Sequence, residues 1–463
     1  MLFDTHCHLN FEVFDMDREE TIWRAENIGV EGMLVVGAGR GVEGNIYALS
    51  LANKFDSLWA SVGVHPHDAK DVDDQSLSNL GEMAVETKVV AWGEIGLDFH
   101  YDHSPRDVQV EIFQKQLKLA DEVELPVIIH DRDAHEEIKN ILEKFFTGRK
   151  KERPVGIMHC FSGDLELAKH MIKIGFLISI PGVITFPNAK KLTEVVKGLP
   201  LEYMVLETDS PFLTPAPHRG KRNEPSYIIH TAKKVAEIKK LTLEDVSRVT
   251  TMNARIVFGL GGAKREPLVA YPIRGNLYLN ITNRCNNRCG FCPKHTTGMV
   301  KGHFLILEQE PDFDKIIEAI GDPTNYKEVV FVGFGEPTLR LDMIKKVARW
   351  LKERGARTRL DTDGQANLVY GRNIAPELKG LIDSVSVSLN APDAETYVKL
   401  CRPSAGKRAY ESVKDFIKEA KKAIGDVTAT VVGLPDLDIE KCRKIAEDEL
   451  GVKFRVREYN DVG

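Results

Sequence analysis

The chain has 463 residues, 43% of them hydrophobic and 29% charged, and its formal net charge is −6. This length predicts two or three domains, and the small negative charge leaves any nucleic-acid binding to local basic patches. Four of the seven cysteines are scattered and give no disulfide framework, and no window approaches the roughly 20 apolar residues of a membrane span, so we expect a cytoplasmic protein that does not bind membranes.

From residue 1 to about 260, short apolar runs alternate with longer amphipathic stretches. Eight of these runs are predicted strands, at 2–4, 32–36, 59–62, 89–92, 127–129, 155–158, 176–180 and 204–206. Helical patterns lie between them, for example at 107–122 and 165–174. About eight strand–helix units in about 250 residues predict an α/β fold of the (β/α)8 TIM-barrel type.

The alternation resumes near residue 276. Further strands are predicted at 277–281, 329–332, 359–361, 385–389, 427–432 and 454–457. Six units predict an open, partial (β/α)6 barrel. The glycines at 259, 261 and 262, followed by Pro267 and Pro272, predict a linker at 261–275 between domains 1–260 and 276–463.

Histidines and acids follow several predicted strands of the first domain. Alternate residues of a strand face the same side, so His6 and His8 are expected to point the same way. Matching side chains at other strand ends are Glu94, His130, His159 and Asp209. The active sites of such barrels lie at this end. The set predicts two divalent ions, Mg, Mn or Zn, that activate a water and clamp a phosphoryl oxygen.

Several segments of the first domain resemble those of the TatD metal-dependent deoxyribonucleases, which are amidohydrolase-like TIM barrels. These segments are MLFDTHCHLN, GVHPH, GEIGLDFHYDHSPRDVQVEIFQKQL, LPVIIHDRDA, HCFSG and ETDSPFLTPAPHRGKRNEPSYI. The resemblance covers residues 1–260 and implies a hydrolase of phosphodiester bonds in DNA, acting from single-stranded or 3′ ends. Asn10 stands where the family usually has Asp, and we expect it to tune the activity rather than abolish it.

The resemblance also implies roles for individual side chains. His6, His8, Glu94 and Asp209 would hold the first metal, and Glu94 would bridge to a second metal held by His130 and His159. Asp209 and Glu94 would be catalytic, with Asp209 accepting a proton from the attacking water. His65 and His67 at the mouth, and Arg219 and Arg222 in HRGKRNEP, are predicted to bind substrate phosphates, although a solvated basic loop is the alternative.

Three cysteines, Cys285, Cys289 and Cys292, are spaced Cys-x3-Cys-x2-Cys after the run at 277–281. Three thiolates can hold three irons of a four-iron cube and leave the fourth open. A zinc site completed by His295 is the alternative. The loop resembles that of the radical SAM superfamily, which implies a 4Fe-4S cluster, S-adenosylmethionine (SAM), a 5′-deoxyadenosyl radical and a reductant such as flavodoxin or ferredoxin.

Later segments resemble SAM contacts of the same superfamily. Gly333, Gly335 and Glu336 in GFGEPTL would meet its amino group. Further candidates for its ribose and carboxylate are Asp361, Asp363, Ser388 and Asn390, although these could be ordinary polar turns. Cys401 and Cys442 are predicted to be ordinary buried thiols.

Three functional hypotheses follow. The first is a bifunctional enzyme in which a two-metal deoxyribonuclease is fused to a SAM-cleaving radical domain of unknown substrate. In the second, the radical domain modifies a protein or peptide and the barrel hydrolyses something other than DNA. In the third, the cluster is only a redox sensor, which would not need the GFGEP and LDTDG segments.

Overall fold

The computed structural model describes residues 1–39, 41–148, 153–263, 266–295 and 298–459. The chain divides into two compact units, Met1–Lys264 and Arg265–Gly463, and each is described by itself. None of the helices in the described ranges is long and apolar enough to cross a membrane.

The first unit is built on one parallel sheet whose eight strands follow their order in the chain. The strands are β1 (Leu2–Cys7), β2 (Val30–Val36), β3 (Leu58–Val62), β4 (Val89–Asp98), β5 (Val127–Arg132), β6 (Gly156–Met158), β7 (Phe176–Ile180) and β8 (Met204–Leu206). The first strand returns to the last through a parallel bridge between Cys7 and Ser210. This closure confirms the predicted barrel, and all eight predicted strands are present.

Helices alternate with these strands along the chain. They are α1 (Arg18–Asn27), α2 (Gly41–Lys54), α3 (Asp74–Met83), α4 (Arg106–Glu122), α5 (His135–Phe146), α6 (Leu165–Lys173), α7 (Lys190–Gly198), α8 (Ile228–Lys239) and α9 (Leu243–Val257). The last helix, α9, begins after Thr242, whose side-chain oxygen accepts a hydrogen bond from the Asp245 N–H and caps the helix. Its Ala254 and Val257 pack on Phe3 and Val205, so one end of the barrel is filled with apolar side chains.

The second unit contains a seven-stranded sheet and a two-stranded hairpin. The strands are β9 (Ala270–Ile273), β10 (Asn276–Asn280), β11 (Met299–Val300), β12 (His303–Phe304), β13 (Val329–Val332), β14 (Thr358–Thr362), β15 (Ser384–Ser388), β16 (Val427–Gly433) and β17 (Lys453–Glu458). The large sheet runs in the order β17, β16, β15, β14, β13, β10, β9, and all its pairs are parallel except β10 with β9. The six predicted strands are these six parallel strands, as in a partial barrel.

The predicted linker at 261–275 contains strand β9, which the sequence analysis missed. Pro272 favoured a linker, but β9 lies at the sheet edge, where a missing backbone N–H is tolerated. Lys264 and Arg265, also within that range, lie outside the described residues.

Helices of the second unit cover one face of its sheet. They are α10 (Phe313–Ile320), α11 (Leu341–Lys352), α12 (Ala366–Tyr370), α13 (Ala375–Leu378), α14 (Ala394–Cys401), α15 (Arg408–Ala423) and α16 (Ile439–Lys444). Leu279, Phe331 and Val387 of the sheet share one buried core with Val347 and Phe416 of the helices. Tyr278, Arg359 and Ser388, which are next in sequence to the core residues Leu279, Leu360 and Val387, are only partly buried, so polar side chains occupy the other face.

Candidate functional site

The histidines and acids of the first unit converge at the carboxyl ends of its strands. Their ligand atoms form overlapping groups in which all atoms of a group lie within 4.8 Å of one another. The groups are His6, His8 and Asp209; His6, Glu94 and His159; His65, Glu94 and His130; and His159, Cys160 and Glu207. All six predicted metal ligands therefore belong to one cluster.

The first part of the cluster is set by the end of β1. The Nε2 atoms of His6 and His8 are 3.3 Å apart, so the two imidazoles meet as the strand alternation predicts. The Asp209 N–H donates to the His6 carbonyl at 2.9 Å, which ties the segment after β8 to β1. This brings Asp209 Oδ1 to 3.4 Å from His8 Nε2.

Glu94 lies between two sets of histidines. Strand β4 has an irregularity in its pairing with β5 at this residue, and such a bulge changes the direction of a side chain. Glu94 Oε2 lies 3.4 Å from His6 Nε2. Its other oxygen, Oε1, lies 2.6 Å from His130 Nδ1 and 3.4 Å from His159 Nε2. The two oxygens of one carboxylate thus face separate ligand sets.

Two buried acids behind the cluster were missed by the sequence analysis. Asp98 Oδ2 lies 3.2 Å from His130 Nε2 and 2.8 Å from His67 Nε2. Glu207 Oε2 lies 3.0 Å from His159 Nδ1. Hydrogen bonds of this kind fix the ring orientation of metal-binding histidines. A signal was present in GEIGLD, because Asp98 and Glu94 are an even number of residues apart in β4, and in ETD, where Glu207 lies two residues before Asp209 just after β8.

The four predicted phosphate-binding residues are placed differently. His65 Nε2 is 3.7 Å from Glu94 Oε1. His67 Nε2 is 2.8 Å from Asp98 Oδ2, the oxygen that also contacts His130, so both histidines lie at the cluster. Arg219 is exposed and lies over the ring of Phe186 at 3.8 Å. Arg222 forms two 2.7 Å hydrogen bonds to Asp17, so its charge is already compensated within the unit.

Charge in the cluster is carried by its acids and by two of its histidines, His130 and His159, whereas burial lowers the pKa values of His6 and His65. Burial would raise the pKa of Glu94, but His159, His65 and His6 hold it well below its usual range. Burial also opposes the ionised form of Asp209, yet His8 keeps its pKa low. Burial would lower the pKa of His130, but Asp98 and Glu94 raise it to about 9. Glu207 and Glu94 likewise overcome burial and raise the pKa of His159 to about 10.

These side chains fit divalent cations. Five imidazoles, three carboxylates and the Cys160 thiol converge in these groups, and the carboxylates of Glu94 and Asp209 stay ionised. The Nδ1 atoms of His6 and His8 are buried and have no hydrogen-bond partner among the described residues. Nitrogen and carboxylate donors of this kind suit Zn, Mn or Mg.

Metal binding is expected to release about two protons per chain at neutral pH. His130 and His159 have raised pKa values of about 9 and about 10 in the metal-free protein, and a coordinating imidazole nitrogen must lose its proton. The apparent affinity for the metal should therefore rise as the pH increases towards about 9–10, and it should fall as the pH is lowered from there. Calorimetric Zn²⁺ titrations in buffers of different ionisation enthalpy measure the released protons, and a heat independent of the buffer would contradict this assignment.

The cysteine loop of the second unit is attached to the end of α14. Backbone N–H groups of Arg288 and Gly290 donate to the carbonyls of Cys401 and Leu400 at 2.9 and 3.1 Å. The Cys289 thiol contacts that of Cys401, and this hydrogen bond together with burial raises the pKa of Cys289. Cys401 is buried, as predicted, but it also supports the loop.

The loop geometry disfavours the zinc alternative. Cys285, Cys289 and Cys292 are free thiols. Within the described part of the chain, neither these thiols nor His295 supply three ligand atoms within 4.8 Å of one another. A single zinc ion with ligands about 2.3 Å away would require such a group.

The glycines of GFGEP are required by the cysteine loop. A Cβ on Gly335 would lie 2.2 Å from the Arg284 carbonyl oxygen, immediately before Cys285. Gly333 has φ +144, and a Cβ there would lie 2.8 Å from the Asn280 side-chain oxygen. Because no other residue fits these approaches, the two glycines position the backbone that leads into the loop.

Glu336 is buried and its carboxylate is occupied within the protein. It accepts from the Thr338 N–H at 3.0 Å, from the Thr362 hydroxyl at 2.7 Å and from the Asp363 N–H at 2.6 Å. Burial and this neighbouring carboxylate raise the pKa of Asp363 well above its usual range. Glu336 therefore joins two strand ends, and its side chain has little capacity left for a ligand.

The other predicted SAM contacts lie at neighbouring strand ends. Asp361 pairs with Arg359 at 2.9 Å, and Ser388 ends β15. Asn390 is buried, and its side-chain oxygen has no hydrogen-bond partner among the described residues. Its amide nitrogen lies 3.8 Å from Cys401 Sγ, which places this unsatisfied oxygen near the cysteine loop. An orphaned acceptor of this kind fits a bound ligand with hydroxyl or amino groups.

Comparison with known proteins assigns families to both regions. The TatD related DNase family model matches residues 3–259, and the Radical SAM superfamily model matches residues 279–448. The uncharacterized metal-dependent hydrolase YabD of Bacillus subtilis is 47% identical over 258 residues, which are 56% of this chain and 99% of that protein. The 3′-5′ ssDNA/RNA exonuclease TatD of a Rahnella species is 34% identical over 269 residues, covering 57% of this chain and all of that protein.

A solved structure supports the fold of the first region. YjjV, a TatD homologue from Escherichia coli, matches with a TM-score of 0.52 at 32% identity, covering 56% of this chain and 98% of that one. The chain therefore belongs to the TatD related DNase family, and its C-terminal region carries a radical SAM domain.

Proposed function

We propose that residues 1–260 form a two-metal phosphodiesterase that removes nucleotides from the 3′ end of single-stranded DNA. The observation that carries the proposal is Glu94, whose oxygens face His6 on one side and His130 and His159 on the other. In this assignment His6, His8 and Asp209 complete one metal site. The relative named as a 3′-5′ ssDNA/RNA exonuclease supports the polarity and the substrate class.

The chain's own residues supply orientation and proton transfer. When bound, two divalent ions would provide an activated water and a clamp for phosphoryl oxygens. Asp209, kept ionised by His8, is the proton acceptor beside them. Asp98 and Glu207 hold the rings of His130 and His159 in position. His65 and His67 at the same mouth are proposed phosphate contacts, together with the exposed Arg219; the Asp17 pairing of Arg222 makes that residue the weakest candidate.

We further propose that the second compact unit, which includes residues 276–463 and strand β9, cleaves SAM reductively. Cys285, Cys289 and Cys292 would hold the cluster, which supplies the electron when an external reductant such as flavodoxin or ferredoxin delivers it. Asn390 offers the buried acceptor, and Ser388, Asp361 and Asp363 lie at adjacent strand ends for further contacts. Gly333 and Gly335 act by letting the loop backbone approach. A reducing cytoplasm would suit both the thiolates and this reductant.

Hydrolysis of a 5′-labelled single-stranded oligonucleotide tests the nuclease proposal. With Mg²⁺ or Mn²⁺ the protein should produce a ladder of products shortened one nucleotide at a time from the 3′ end. Chelation by EDTA should stop the reaction, and added metal should restore it. Undiminished activity in EDTA, or products cut only internally, would contradict the proposal.

A further inference from the structure

An exposed aromatic ring stands beside the metal-ligand cluster. Phe212 lies three residues after Asp209, and its N–H donates to the Asp209 carbonyl at 2.8 Å. The residue is 51% exposed although it belongs to a largely buried segment. Single exposed apolar side chains are ordinary on protein surfaces, but this one lies directly beside the metal-ligand cluster.

Neighbouring rings hold Phe212 in place. Its centroid lies 6.1 Å from that of Phe11 at an interplanar angle of 79°, and 6.1 Å from that of His8 at 70°. Phe11 in turn lies against His8, with the two centroids 4.6 Å apart. The two contacts of Phe212 are edge-to-face, which is a favourable geometry for aromatic rings. Phe212 is therefore fixed relative to a proposed metal ligand while about half of it remains open to solvent.

This arrangement places a stacking surface next to the position where a phosphate would be cleaved. His8 Nε2 is 3.4 Å from Asp209 Oδ1, so the ring that contacts Phe212 also belongs to the cluster. In a nucleotide, the base is separated from its phosphate only by the sugar. A base whose phosphate lies at the cluster can therefore reach the neighbouring ring.

We propose that Phe212, supported by Phe11, stacks on the terminal base of a single-stranded substrate. The inference rests on the proposed nuclease function and deepens it by naming the feature that is bound. Every base has a π face, so stacking of this kind is tolerant of sequence. A base in a duplex is already paired and stacked, which makes an unpaired end the better substrate.

Phe212→Ala is expected to raise KM for a single-stranded oligonucleotide about tenfold, because base stacking on an aromatic side chain is worth about 1–3 kcal/mol per base, and to leave kcat within about twofold. The increase should disappear when the 3′-terminal sugar of the substrate carries no base, because the wild type then has nothing to stack. Phe212→Tyr should restore the wild-type KM. Trp23→Ala removes an exposed ring elsewhere in the same barrel and should change nothing.

Other outcomes would overturn the inference. An equal rise in KM on both substrates would mean that the substitution disturbs the cluster, and no rise on either would mean that Phe212 serves another contact, such as a protein partner. If the wild type hydrolyses neither substrate, the proposed function fails separately. Binding then still tests the stacking: 2-aminopurine at the 3′ end of a phosphorothioate oligonucleotide should be quenched by the wild type and not by Phe212→Ala. Absence of quenching would overturn the inference.

Discussion

Replacing Glu94 by Gln is expected to lower single-strand hydrolysis by more than about 100-fold, since losing even a residue behind a metal ligand costs about 10- to 100-fold. The substitution keeps the side-chain shape but exchanges one carboxylate oxygen for an amide nitrogen, which does not bind metal. Glu94 Oε1 and Oε2 face different histidine sets, so one set must lose its shared ligand. The bound divalent metal should fall from two ions to at most one per first domain.

Glu31→Gln is the matched control for this variant. Glu31 lies near the start of β2, at the opposite end of the strands from the cluster, and pairs with Arg255 at 3.7 Å. The Glu31→Gln substitution removes one carboxylate from the same domain, and this variant should keep both the metal content and the hydrolytic activity of the wild type. Wild-type activity in Glu94→Gln, with full metal content, would refute the bridging role.

Replacing Cys289 by Ala is expected to abolish SAM cleavage while leaving DNA hydrolysis intact. The iron content of anaerobically reconstituted protein should fall from about four atoms per chain to near zero, because two thiolates cannot retain a cube. Formation of 5′-deoxyadenosine after reduction with dithionite should fall to background. The nuclease ligands belong to the other compact unit, so hydrolysis reports on a separate centre.

Cys442→Ala supplies the control, since this buried thiol of α16 is a cysteine of the same unit outside the loop. It should keep the iron, the sulfide and SAM cleavage. Cys401→Ala would be a poor control, because its thiol contacts Cys289. Retained 5′-deoxyadenosine formation in Cys289→Ala would show that this cysteine does not hold the cluster.

The structural features that could be predicted from the sequence are those that follow from a repeated residue pattern. Alternation of side chains within a strand placed His6 and His8 side by side. The pattern of short apolar runs, spaced by amphipathic helices, located all eight strands of the barrel and the six parallel strands of the second sheet. It failed at β9, where Pro272 resembles a linker residue but occupies an edge position that needs no donor.

Features that depend on contacts between distant segments were not accessible from the sequence. The sequence shows Asp98 and Glu207 as acids close to Glu94 and Asp209, but only the structure shows that they contact the rings of His130 and His159. Arg222 carries the guanidinium group that is typical of phosphate contacts. Its bidentate pair with Asp17, some two hundred positions away in the chain, is not evident from the residues around Arg222 in the sequence. Glu336 similarly bonds to Thr362 and Asp363 of the following strand.

The convergence of two metal sites on Glu94 is tested most directly by a crystal of the Mn²⁺-loaded protein measured at the manganese absorption edge. We expect two anomalous peaks on either side of the Glu94 carboxylate, one beside His6, His8 and Asp209 and the other beside His130 and His159. A single peak, or one held instead by His159, Cys160 and Glu207, would contradict it.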